Sequence, residues 1–317
     1  MNDPTADQAT ADAALAAYRY IPLSHLPDAE PHLPAPRLLY HYTNAAGLLG
    51  IIETGVIWAT NVFYLNDESE IRYGKDILDR FVEQRFPDNP ATREVIANFV
   101  GLLRSGPEAW GDHMHAFVAC FSEDPDSLSQ WRGYADGTNG FAIGFSREVL
   151  ERASEGTEST PDFALHRVVY ERDRQLATLD QAVGKTVEDF ANYAAGKTSL
   201  VGDHEGTLKI FSMAESTALC VTKFKSSAFH EEKEWRALSY LPHGELHKYC
   251  QFRLTRVGVT PYVNLTVLDR DGLSNALQEI RIGPTVHRDL AYGAARSLLH
   301  VRGLTDVDIT HSSIPLR

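Results

Sequence analysis

The sequence predicts an α+β fold. Its strand-like segments come in clusters, the helices between them are unequal in length, and the regular βαβα alternation of a doubly wound sheet is missing. No GxGxxG follows a strand and no GxxxxGK[ST] loop is present, which excludes a Rossmann or P-loop nucleotide cradle.

The elements follow in order. Residues 1–36 are rich in Ala, Asp and Pro, with five prolines after Ile21, and read as a flexible N-terminal arm with room for a short helix at 12–20. Residues 37–317 read as one α+β domain with a mostly helical insertion at about 172–225. Leu38–Thr43 is a strand whose period of two sets Leu39, His41 and Thr43 on one face. Asn44 caps a helix with an apolar stripe at Ala45, Leu48, Leu49 and Ile52, and Gly55 ends it. Residues 56–60 are a second strand and 67–81 a helix. Residues 116–121 are a buried strand. Ser127 and Gln130 have capping-box spacing and open a short helix to Ala135. Asp136-Gly137 and Asn139-Gly140 are turn signals before a strand at 141–145. Further strands are expected at 165–170, 235–241, 251–257, 263–268, 279–282 and 307–310, with a last helix at 286–299.

Charge and cysteines narrow the function classes. Thirty Lys and Arg against 43 Asp and Glu give a formal charge of −13, which disfavours long nucleic acids and anionic membranes. The three cysteines, Cys120, Cys220 and Cys250, are widely spaced with no CxxC, so neither a disulfide framework nor a zinc ribbon is indicated, and a reducing cytoplasm is the expected home. No apolar run approaches ~18 residues, and the N-terminus lacks a basic n-region followed by an apolar core, so neither a membrane span nor a signal peptide is expected.

Three clusters could carry chemistry. In Tyr40-His41-Tyr42-Thr43, imidazole and hydroxyl on one strand face can bond a ribose diol, or the histidine can bond a neighbouring carbonyl in the core. In Ser122…Ser127…Trp131…Tyr134, the last three share a helical face, and the aromatics form either a wall for a flat ring or part of the core. Ala142 and Gly144 leave one face of the next strand without bulk, a sign of close approach by backbone or ligand. In His230-Glu231-Glu232-Lys233-Glu234-Trp235-Arg236, Glu232 and Glu234 are two apart at a strand entry. They serve either a sugar hydroxyl and developing positive charge, or ion pairs with Lys233 and Arg236. Asp67 and Glu70 have helix-cap spacing. His113 and His115 lack a third ligand at recognisable spacing, so no metal site is expected.

Taken in order, HYT, LND, CFS…SQWRGYADGTNGFAIGF, EEKEWR, RIGP and SSIPLR resemble the bacterial family called domain of unknown function 2971, from about Leu38 to Arg317. The same order is more distantly similar to the ADP-ribosyltransferase superfamily, which implies a mixed sheet with a split core. By this resemblance His41 and Thr43 match the H-x-T strand, with Tyr42 between them, and Ser122 matches the serine strand. Trp131 or Tyr134 takes the nicotinamide-stacking role. Glu232 and Glu234 match E-x-E. The implied chemistry is NAD-consuming: His41 holds the adenine-side ribose, Glu234 is the catalytic carboxylate, and Glu232 orients an acceptor. The resemblance implies NAD as substrate, an acceptor of unspecified identity and a toxin or phage-defence role. Two other readings stay open. One is a non-catalytic nucleotide- or protein-binding module of the same fold. The other is a metal-dependent hydrolase or nuclease using Asp67, Glu70, Glu232 and Glu234.

Overall fold

The computed structural model describes residues 26–27, 32–65, 68–85, 115–134, 140–194, 216–217, 219–241, 243–267 and 276–315. The expected helix at 12–20, Asp67, His113 and residues 135–139 lie outside them. The elements are β1 (Leu38–Asn44), α1 (Ala45–Thr54), β2 (Val56–Asn61), α2 (Glu68–Arg85), β3 (His115–Ser122), α3 (Leu128–Tyr134), β4 (Gly140–Ser146), α4 (Arg147–Arg152), β5 (Ala164–Arg167), α5 (Arg172–Ala194), β6 (Glu234–Leu241), α6 (Leu246–Tyr249), β7 (Gln251–Thr255), β8 (Gly258–Thr266), β9 (Leu277–Ile282), α7 (Arg288–Val301) and β10 (Asp308–His311).

The local signals act as expected at α1. Asn44 accepts from the Gly47 amide, and Gly55 closes the helix at φ 73°, a left-handed value that costs glycine nothing. Other ends differ by a residue or a few. The strand expected at 165–170 spans Ala164–Arg167, because the chain turns away to bridge Val169 to Phe224. Ser127 precedes α3, but its hydroxyl meets that of Ser129 at 3.0 Å.

The strands form one ten-stranded mixed sheet, in keeping with the α+β class. Its path runs β10-β9-β4-β1-β3-β2-β8-β7, with β6 and then β5 on the opposite edge of β3. β9 and β10 are parallel and the other pairs antiparallel. One face carries Phe117, Ala119, Phe121, Ile143 and Trp235, covered by Leu48, Ile51 and Ile52 of α1 and Leu299 of α7. The other carries Val118, Leu238 and Tyr240, covered by Ile77, Leu78 and Phe81 of α2 and Leu179 and Val183 of α5. Burying apolar surface on both faces is what holds so broad a sheet.

Two features position the site. β1 and β2 share one edge of β3: Tyr40 pairs with Ser122 at one end, and Thr60 and Asn61 pair with Val118 and Phe117 at the other. Ala119–Phe121 therefore have no strand partner on that edge, and the sheet is split there. The second feature is the arm. Its described part is docked rather than loose. Leu26 is buried in the second core, and backbone carbonyls are held by basic side chains: Pro27 by Lys223 (2.6 Å), Pro34 by Arg167 (2.9 Å) and Pro36 by Arg147 (3.1 Å).

Candidate functional site

Strand register brings the sequence motifs together. Tyr40 pairs with Ser122, and Ser122 with Glu234, so β1, β3 and β6 lie side by side with these residues in one row. Paired residues in antiparallel strands point to the same face. Tyr40, Tyr42, Ser122, Glu234 and Arg236 thus share one face. Leu39, His41 and Thr43 belong to the other, where Leu39 joins the first core.

His41 sits at the split. On the edge of β3 between the β1 and β2 pairings, His41 Nδ1 donates to the Cys120 carbonyl at 2.9 Å. This places the proton on Nδ1 and leaves Nε2 as a lone-pair acceptor without a partner among the described residues. Burial lowers the imidazole pKa, the carbonyl opposes that, and the charge of Arg253 lowers it further. The ring is neutral near pH 7.

Glu234 is 4% exposed. Its Oε1 accepts from Arg236 Nε (2.8 Å), and its Oε2 from Lys225 Nζ (2.8 Å) and Arg236 Nη2 (3.3 Å). Burial alone would raise its pKa. The charges of Arg236 and Lys225 outweigh that and hold the carboxyl well below the usual range. Lys225 Nζ also reaches Glu232 Oε2 at 2.7 Å, so one cation bridges both carboxylates. Two local devices set this geometry. Lys233, between the glutamates, has φ 43°, the one positive φ outside glycine among the described residues, which costs about 1–2 kcal/mol. Ser122 Oγ donates to the Glu232 carbonyl at 2.7 Å and fixes the approach. Tyr170 Oη accepts from the Glu234 amide at 2.9 Å.

The aromatics divide. Trp131 is buried, packs edge-on against Tyr42 (4.6 Å between centroids) and donates Nε1 to Asp126 at 2.9 Å. Tyr42 is buried too, donating to the Asp124 carbonyl (2.7 Å) and accepting from the Ser127 amide (2.9 Å). Neither offers a face to a ligand. Tyr134 is 40% exposed, and the charges of Glu234, Lys225 and Glu232 all act on its hydroxyl. Of the two aromatics expected to stack nicotinamide, Tyr134 is the exposed one. Thr43 is half-buried at the end of β1. The bare position at Gly144 has an internal cause: a Cβ there would lie 2.8 Å from Tyr40 Cε1, so it is the Tyr40 ring that approaches.

Lys225 and Tyr170 were not singled out from sequence. Tyr170 lies 64 residues from Glu234 along the chain, and Lys225, seven residues before Glu232, sits at no spacing that marks it. Among the described residues no group of three or more His, Cys, Asp or Glu side chains could hold a metal ion. Glu70's side chain, like Asp67, lies outside the described positions. Among the described residues no helix is long and apolar enough to cross a membrane.

Residues 130–237 match the model of a family described as "Protein of unknown function (DUF2971)". That span runs from α3 to the Glu232–Arg236 stretch and supports the family resemblance. No curated protein and no solved structure matches the chain.

Proposed function

We propose that the chain is an NAD-dependent enzyme resembling ADP-ribosyltransferases, with its site around the split edge of β3. The observation that carries this reading is the row Tyr40–Ser122–Glu234. The H-x-T strand, the serine strand and the E-x-E strand, far apart in sequence, are neighbours in space. Three further features support it: a neutral imidazole with an open Nε2, an ionised carboxylate, and an exposed tyrosine ring.

In this mechanism NAD enters as substrate. The bond between nicotinamide and ribose breaks and its electron pair leaves with nicotinamide. Glu234, held as an anion, stabilises the positive charge that develops on the ribose. Arg236 holds Oε1. Lys225, on a flexible stem between two carboxylates, shifts toward Glu232 when a ribose hydroxyl takes its place on Oε2. Tyr134 covers the leaving ring. ADP-ribose then passes to an acceptor, and a toxin or phage-defence role is one such chemistry would serve.

A second reading, a non-catalytic binding module, is favoured by one arrangement: Glu234 is fully ion-paired and His41 belongs to the opposite face of the sheet. Nicotinamide release separates the two. The transferase reading expects release by the wild type and a ~10²–10³-fold loss in Glu234→Gln. Release that is equal in the two proteins removes Glu234 from the mechanism. NAD that binds without release establishes the second reading. Labelled NAD incubated with a cell lysate then identifies the acceptor.

A further inference from the structure

We infer that the β2–β8–β7 end of the sheet carries a nucleotide-binding platform, with a phosphate on Arg253 and a base against Trp58. Register builds it. β2 pairs with β8 at Trp58–Asn264 and Thr60–Tyr262, and β8 pairs with β7 at Tyr262–Gln251 and Thr260–Arg253. These alternate positions share one face, while Ile57, Ala59, Val263 and Leu265 turn into the first core.

On that face Arg253 is held by aromatic rings. Its guanidinium carbon lies 5.0 Å from the Trp58 ring centroid and 5.7 Å from that of Tyr262, and Nη2 donates to Thr60 Oγ1 at 2.7 Å. The two rings are 5.0 Å apart, tilted by 46°. No carboxylate pairs with Arg253 among the described residues, although the chain carries 43 acids to 30 bases. Two buried polar atoms there also lack hydrogen-bond partners among the described residues, Arg253 Nε and Asn264 Oδ1. A half-buried arginine without a counter-ion is costly to keep. An external anion supplies the missing charge.

The shape selects the anion. Aromatic packing fixes the planar guanidinium, and with one Nη2 hydrogen on Thr60 it leaves Nη1 and the second Nη2 hydrogen for two phosphate oxygens. Trp58, 50% exposed, presents a flat apolar face beside it, the partner of a nucleobase. Asn264 pairs with Trp58 across β2 and β8 and so stands on the same face. Thr60, which holds Arg253, pairs with Val118 of β3 at the border of the split, and this puts the platform beside it. The net charge of −13 favours a free nucleotide over a nucleic-acid strand. The inference does not depend on the transferase reading, since a module that only binds would use the same platform.

Calorimetric titration of the full chain tests it, with AMP, adenosine, pyrophosphate and a short single-stranded oligonucleotide as probes. AMP is expected to bind at least tenfold more tightly than adenosine or pyrophosphate. Arg253→Gln and Trp58→Leu each weaken it at least tenfold. Arg253→Lys, which keeps the charge but not the fork, loses a smaller factor, and it carries the test if Arg253→Gln does not fold. AMP binding no tighter than adenosine, or unchanged in a folded Arg253 variant, overturns the platform. An oligonucleotide that binds more tightly than AMP overturns its assignment to a free nucleotide.

Discussion

Replacing Lys225 with methionine strips one cation from a buried cluster while keeping the length of the side chain. The Lys225 and Glu234 side chains are 5% and 4% exposed, and Glu232 is 14% exposed. At the 2.8 Å separation of Lys225 from Glu234, the gross attraction is about 6 kcal/mol at an effective dielectric of ~20. Desolvation offsets part of it, and removing one partner of a buried pair typically costs about 3–5 kcal/mol. Lys225→Met should therefore lose at least about 3 kcal/mol in urea unfolding, read as a lower midpoint at unchanged slope. Adding Glu232→Gln relieves one stranded carboxylate and should recover at least about 1 kcal/mol. The pH dependence has a definite sign. Glu234 has a folded pKa below its ordinary 4.5, so its stabilisation is full above that value and fades as pH falls through the folded one. With one cation fewer the folded pKa rises, and the acid limb of the stability curve should move to higher pH. A midpoint within about 0.5 kcal/mol of wild type, with an unmoved acid limb, would mean that water already solvates these carboxylates and that the buried cluster is not what orders the site.

Other outcomes follow from single contacts. Gly144→Ala forces a methyl against the Tyr40 ring and should cost about 1–3 kcal/mol in thermal unfolding, and in a Tyr40→Ala background the same change should cost less. His41 has a folded pKa below 6.5, so stability should fall as pH drops from 6.5 toward the folded value, and His41→Asn should flatten that slope in melting curves taken between about pH 5 and 7.5. Deleting residues 1–36 removes the Pro27 carbonyl from buried Lys223 and Leu26 from its socket, and should lower the melting temperature rather than leave it unchanged. Trp131→Phe keeps the ring but loses the bond to Asp126. It should cost stability, about 1–2 kcal/mol, with nucleotide affinity unaltered.

Short-range chemistry was readable from the chain. Asn44 and Gly55 bound α1 because caps act within a turn, and the alternation in Phe141–Phe145 marks β4 because one residue in two faces each core. The row of motifs across β1, β3 and β6 needed the family pattern, since antiparallel pairing of distant strands leaves no local spacing. Trp131 and Tyr134 are three apart on one short helix, yet one is core and the other exposed. Only the packing of Tyr42 beneath the helix separates them. Lys225 reaches the glutamates because a 3-10 turn at Ser227–Glu232 and the left-handed Lys233 fold the chain back, and a lysine carries no such backbone signal. Arg253 alternates with Phe252 and Leu254 in a plain edge strand, where nothing in the sequence shows that its charge goes unanswered.

The parting of β1 and β2 has a mechanical consequence. Four strands hang from one end of β3 and three from the other, so the two blades meet at a common spine and not at a seam of their own. What joins them beyond that spine is side-chain packing, Leu39 and Ile143 of one blade and Ile57 and Val263 of the other meeting in the first core. Across the notch, the imidazole of His41 clipped to the Cys120 carbonyl acts as a small wedge. A guest that bonds the opposite ring nitrogen leaves that clip in place, so the wedge can hold the notch and the guest together.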